Sequence, residues 1–156
     1  MKTFLVLFIV TLSTIPIASS QTFFDEASKQ PWKGTVELLG SRASFHMKWQ
    51  PILDGRFYEL LFSNQREQSK EFMFQAKAIY QVKEGNQVSG RWFDSRGITF
   101  PLNGSFSKDT LTIFWGTNEI EQGKTIYLLL QDGTIKVEDY ILKEGNFNLF
   151  GNANYR

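Results

Sequence analysis

From Trp32 onward the chain repeats with a period of two, and turn signals interrupt that alternation every eight to twelve residues. Apolar side chains at every second position give an extended strand one oily face and one wet face. Short strands at such spacing point to an all-β sandwich or barrel. Ten strands are expected, near residues 32–39, 42–50, 56–62, 71–82, 87–94, 97–106, 110–116, 124–131, 134–142 and 146–155. No helical period long enough for a crossover lies between them, so sequential antiparallel hairpins are expected. Only Phe23 to Lys29 suggests a helical turn or two.

The turns set the register, and register decides which side chains share a face. Around Glu84-Gly85-Asn86, pairing Val82 with Val88 also aligns Tyr80 with Gly90 and Ala78 with Trp92. Phe72, Phe74, Ala76, Ala78 and Tyr80 then share a face with Trp92. That face continues as Phe100 and Leu102, and then as Leu111, Ile113 and Trp115. Asp132-Gly133 reads as a two-residue hairpin turn, which pairs Leu130 with Ile135, Leu128 with Val137 and Ile126 with Asp139. The last hairpin is expected to set Ile141 against Leu149 and Asp139 against Gly151. Phe57, Leu61, Phe93, Phe114, Tyr127 and Phe150 then fall outside.

One apolar face running through consecutive hairpins implies an antiparallel up-and-down β-barrel with a short N-terminal helical turn. A barrel of more than about eight strands leaves space that side chains cannot fill. A flattened sandwich with a packed core is the alternative.

Residues 1–20 read as a signal peptide, with Met1-Lys2, an apolar run from Phe4 to Ile17, and small residues at Ala18-Ser19-Ser20. The run falls short of the ~20 residues a membrane span needs. This predicts an exported chain, periplasmic or extracellular, with no span once the leader is removed. Residues 21–31 form a short segment before a barrel domain over 32–156. The chain has no cysteine, so an exported domain of about 135 residues must rest on a large aromatic and aliphatic interior; the chain has 15 Phe (Phe4 and Phe8 in the leader), 4 Trp and 5 Tyr. Its 17 basic and 16 acidic side chains form no basic run, and one of the bases, Lys2, lies in the leader. The electrostatic footprint of a nucleic-acid binder is missing.

Asp139 sits where Ile135, Val137 and Ile141 point, and a carboxylate in apolar surroundings needs a partner, a hydrogen bond or water. Leu53-Asp54-Gly55-Arg56 reads as a turn that sends Arg56, Tyr58, Leu60 and Phe62 inward, opposite Trp49 and Met47. A small-molecule pocket is expected. Trp49, Phe74, Trp92, Phe100 and Trp115 would hold the apolar part of a ligand. Arg56, Tyr58, Tyr80, Asp139 and Tyr155 would hold a polar end, with Asp94 also turned inward. The plainer readings are a structural salt bridge for Asp139 and an exposed turn for Arg56.

His46 is the only histidine and alternates onto the wet side. With no cysteine, zinc and copper sites lack ligands, and no G-x-S-x-G occurs. No metal or cofactor is expected. The leading expectation is a binder of a small apolar or amphipathic molecule. The rivals are an isomerase, cyclase or hydrolase using inward carboxylates, and an interaction module or homodimer using the outer aromatics.

P-W-K-G-T (31–35), P-I-L-D-G-R-F (51–57) and R-W-F-D-S-R-G (91–97) together resemble a lipocalin-like domain-of-unknown-function family of bacterial exported proteins. Its hallmarks, L-D-G-R-F and W-x-D-x-x-G, correspond to Leu53–Phe57 and Trp92–Gly97. The resemblance implies a calycin-type barrel and leaves activity open. Lipocalins open with G-x-W, whereas Trp32 here precedes Gly34. Fatty-acid-binding proteins carry R-x-Y on the last strand, whereas this chain ends Tyr155-Arg156. A related haem-binding barrel uses a late histidine, and none follows His46.

Overall fold

The computed structural model describes residues 22–38, 41–68 and 72–156. The expected signal peptide lies outside the described residues. One short helix, α1 (Phe23–Ala27), precedes ten strands: β1 (Trp32–Leu38), β2 (Ser41–Ile52), β3 (Phe57–Arg66), β4 (Phe72–Lys83), β5 (Gln87–Asp94), β6 (Thr99–Phe106), β7 (Thr110–Gly116), β8 (Gln122–Leu129), β9 (Ile135–Lys143) and β10 (Asn146–Tyr155). All pair antiparallel in chain order within a single sheet. The sheet curls into a nearly closed up-and-down barrel. Lys33 and Arg156 exchange two backbone hydrogen bonds across the seam, at 2.7 and 2.8 Å. Among the described residues no helix is long and apolar enough to cross a membrane.

The middle of the chain pairs as its turns suggest. Val82 faces Val88, Tyr80 faces Gly90 and Ala78 faces Trp92. Trp92 faces Phe100, and Leu102 faces Trp115. The β8–β9 hairpin departs from expectation. Gln131, Asp132 and Gly133 form a three-residue loop closed by Leu130 N–H to the Thr134 carbonyl, 2.8 Å, and Gly133 N–H to the Leu130 carbonyl, 3.1 Å. Gly133 takes the left-handed conformation (φ 78°) that such a loop needs. The Asp132 carboxylate braces the loop by accepting from Thr134 N–H and Oγ1.

One extra loop residue slides β8 by one place, so Thr125, not Ile126, faces Asp139. The slip turns Tyr127 inward, where it is buried. In the final hairpin Asp139 does face Gly151, but a bulge at Phe150 leaves Asn148, not Leu149, opposite Ile141.

The barrel has two unlike poles. At the pole of the β2–β3, β4–β5, β6–β7 and β8–β9 loops, α1 acts as a plug. Its Phe23, Phe24 and Ala27 are completely buried. Phe24 stacks on Tyr58 at 4.7 Å and meets Trp49 and Phe106 edge-on at 5.8 and 5.5 Å. Burial of each phenylalanine contributes about 1.5–3 kcal/mol.

Five residues make a helix here because their free ends are satisfied. Thr22 and Asp25 form a capping box. Phe23 N–H donates to the Ser107 carbonyl at 3.3 Å. The Ala27 carbonyl accepts from Trp32 Nε1 at 2.8 Å. At the opposite pole the same alternating strands enclose a cavity.

Candidate functional site: a one-ended aromatic cavity

The cavity has a volume of about 530 Å³, within the range of ordinary ligand pockets. Met47, Tyr80 and Tyr127 form its floor, the two tyrosines packing against Phe24 and Phe23 of the plug. Trp92, Phe100, Leu102, Ile113, Trp115 and Val137 form its walls. Arg96, Glu121, Lys143 and Phe150 stand at its mouth, which lies at the pole opposite α1.

Asp139 is the deep ionisable group. Its carboxyl is enclosed by protein and opens on the cavity. A side chain at Gly151 would place its Cβ 3.1 Å from Oδ2, so the glycine leaves the carboxyl its room. Gly123 does the same for Trp115, whose ring lies across the space a Cβ would occupy. The indole therefore reaches along β8, and Trp115 Nε1 donates to Thr125 Oγ1 at 3.1 Å. Thr125 Oγ1 then donates to Asp139 Oδ1 at 2.6 Å. An indole N–H can only donate, which leaves the threonine's single proton for Asp139. Burial pushes the Asp139 carboxyl above its ordinary pKa, and the Thr125 hydrogen bond offsets only part of that shift.

Three phenols surround this carboxyl. Tyr80 and Tyr127 lie together on the floor, and Tyr155 comes in from β10. Burial raises all three pKa values, with Asp139 adding to the rise. They are therefore neutral hydrogen-bonding groups at ordinary pH.

The mouth is held by a second carboxyl with the opposite character. The Asp94 side chain is fully buried, yet Arg96 Nη2 lies 2.7 Å from its Oδ2 and Trp92 Nε1 donates to the same oxygen at 3.1 Å. Burial alone would raise the Asp94 pKa, but the hydrogen bonds from Arg96 and Trp92 outweigh it and hold it below its ordinary value. Arg96 also reaches Glu121 in the β7–β8 loop at 3.2 Å and lies over the Phe74 ring at 5.7 Å. Asp94 thus belongs to a clasp across the mouth and not to an acid/base pair with Asp139.

Of the residues singled out from the sequence, Tyr80, Trp92, Phe100, Trp115, Asp139 and Tyr155 line the cavity. Trp49 lies behind the floor, stacked on Tyr80 at 5.4 Å. Phe74 stacks behind Trp92 at 6.4 Å. Tyr58 belongs to the plug, where its hydroxyl donates to Asp25 Oδ1 at 3.1 Å.

Arg56 requires a correction. It is exposed and closes the β2–β3 loop, where Leu53, Asp54 and Gly55 all have positive φ. Strand β3 begins only at Phe57, so the inward alternation does not reach Arg56. Thr125, Tyr127 and Arg96 are lining residues that the sequence reading missed. The first two were hidden by the loop that sets β8. Asp94-Ser95-Arg96, with opposite charges two residues apart in a turn, was a visible signal for the third. No protein-family model matches the chain, and no curated protein matches it. Among the described residues, no three or more His, Cys, Asp or Glu side chains gather as metal ligands.

Proposed function

We propose that this barrel binds a small amphipathic molecule through the open pole, with the aromatic walls taking the apolar body and Asp139 the polar end. The observation that carries the reading is a cavity of about 530 Å³ whose depth holds one ordered carboxyl among aromatic rings. We also propose that the chain is exported, on the strength of the leader-like residues 1–20. Membership of the lipocalin-like exported family, on the L-D-G-R-F and W-x-D-x-x-G residues, belongs to the same proposal.

The test is to purify the protein under native conditions, extract it with organic solvent and analyse the extract by mass spectrometry. A stoichiometric small compound, and quenching of Trp92 and Trp115 fluorescence when it is added back, is the expected result. Absence of both a compound and quenching by any cavity-sized apolar probe overturns the reading.

A rival reading draws on the outer face. There Phe114 and Phe147 pair at 6.0 Å, and Lys124 Nζ lies 4.8 Å from the Phe147 ring. A homodimer through that face predicts sedimentation that depends on concentration and becomes monomeric in Phe114→Ser.

A further inference from the structure

The deep carboxyl lacks a counter-ion. Asp139 Oδ1 accepts from Thr125, but Oδ2, on the Gly151 side, has no hydrogen-bond partner among the described residues. The nearby titratable groups are the phenols of Tyr80 on β4, Tyr127 on β8 and Tyr155 on β10, none of which supplies a positive charge. The cations of the lining stand at the mouth. Arg96 is engaged by Asp94 and Glu121. Lys143 is exposed and lies four residues from Asp139 along β9. Their Cα atoms are roughly 13 Å apart on an extended strand, and only burial and Thr125 shift the Asp139 carboxyl, with no contribution from Lys143.

Aromatic rings dominate the cavity around the unpaired oxygen, with Trp92, Phe100 and Trp115 lining it together with the phenols. An ordered acceptor and ring faces both attract positive charge. An anionic head group would meet an acceptor-only oxygen at depth and an arginine already bound to two carboxylates. Either feature alone would be weak. A neutral donor would satisfy Oδ2 but make no use of the ring faces.

We propose that the ligand is an organic cation, an amine or quaternary ammonium on an apolar body, whose nitrogen seats against Asp139 among the aromatic walls. The inference rests on the binding reading above and adds the charge of the ligand. Trp115 and Thr125 are positioning residues, since they orient the carboxyl that meets the nitrogen.

The test uses a matched pair of probes: (2-naphthylethyl)trimethylammonium, and its neutral isostere with carbon in place of nitrogen. Binding is followed by tryptophan quenching and by calorimetry on the intact protein. The cation is expected to bind about tenfold tighter than the isostere or better. Asp139→Asn is expected to cut that preference several-fold, the readout being the ratio of the two probes' affinities within each variant.

The unmutated protein provides a second arm, because the quaternary probe keeps its charge at every pH. Its affinity is expected to fall as pH drops through the Asp139 pKa, where protonation removes the negative charge, while the isostere's affinity stays flat. The mouth carries Asp94 and Glu121 as well, so the part of the pH dependence that belongs to Asp139 is the part missing in Asp139→Asn. Isostere binding equal to or tighter than the cation's overturns the inference and leaves the binding reading standing. A preference for the cation that is undiminished in Asp139→Asn overturns it in the same way. If neither probe binds and no compound is extracted, both readings fall.

Discussion

The two poles of the barrel are built from the same strands with the same alternation, yet one is dry and filled and the other is hollow. Residues inward at both poles are mostly aromatic. At the closed pole Trp49, Tyr80 and Tyr127 meet the rings of Phe23 and Phe24. At the open pole Trp92, Phe100 and Trp115 meet no equivalent plug among the described residues. The alternation therefore makes a lined space, and a separate five-residue helix decides which half of it is core. The carboxyls divide in the same way. Asp25 at the plug is tied to Thr22 and Tyr58, and Asp94 is tied to Arg96, whereas Asp139 keeps an oxygen free.

This contrast can be broken most sharply at the plug. Phe24→Ala is expected to destabilise the protein by about 3–5 kcal/mol in urea unfolding, because its ring touches five others. A loss under 1 kcal/mol would mean that α1 does not hold the closed pole.

Next comes the clasp at the mouth. Arg96→Gln leaves the buried Asp94 carboxylate without its cation and is expected to cost about 1–3 kcal/mol at neutral pH. The Asp94 pKa is depressed, so its contribution is present above the ordinary value of 3.8 and is lost as pH falls through the folded value. The unmutated protein and Arg96→Gln should therefore converge in stability below that range. A difference that is constant with pH would show that the clasp acts through packing alone.

Thr22→Ala removes half of the capping box and is expected to cost about 1 kcal/mol, with no change in probe affinity at the far pole. The smallest expected effect has the opposite sign. Asp139 has a raised pKa, so its burial penalty grows as pH rises from 3.8 through the folded value and is complete above it. Asp139→Asn should raise the melting temperature at neutral pH, and the gain should vanish below pH 3.8. A fall in melting temperature at neutral pH would instead reveal that the carboxylate is paired.

Much of the barrel was legible before the structure. The hairpins from β4 to β7 have short turns, and their alternating residues left one consistent register, so Tyr80, Trp92, Phe100 and Trp115 were placed on the inner face. Asp139 was legible because a carboxylate broke an otherwise apolar face.

The rest failed for identifiable physical reasons. Asp132-Gly133 is compatible with a two-residue turn, but Thr134 hydrogen-bonds to Asp132 and lengthens the loop, which hid Thr125 and Tyr127. Arg56 was assigned to an inner face because alternation was extended through a loop that curls away. Phe23-Phe24-Asp25-Glu26-Ala27 reads as a helical turn, but docking against Trp49 and Ser107 depends on partners distant in sequence.

A practical consequence follows from the pairing of Arg156 with Lys33 beside the plugged pole. Arg156 thus lies on the side away from Arg96, Glu121 and Lys143, which stand at the cavity mouth. A fusion tag or surface linker joined after Arg156 would leave that mouth facing outward into solvent. Immobilising the protein through Arg156 should accordingly leave the mouth accessible to a small probe. A tether placed at Ser95 or Asn118, in the loops beside the aperture, should obstruct it.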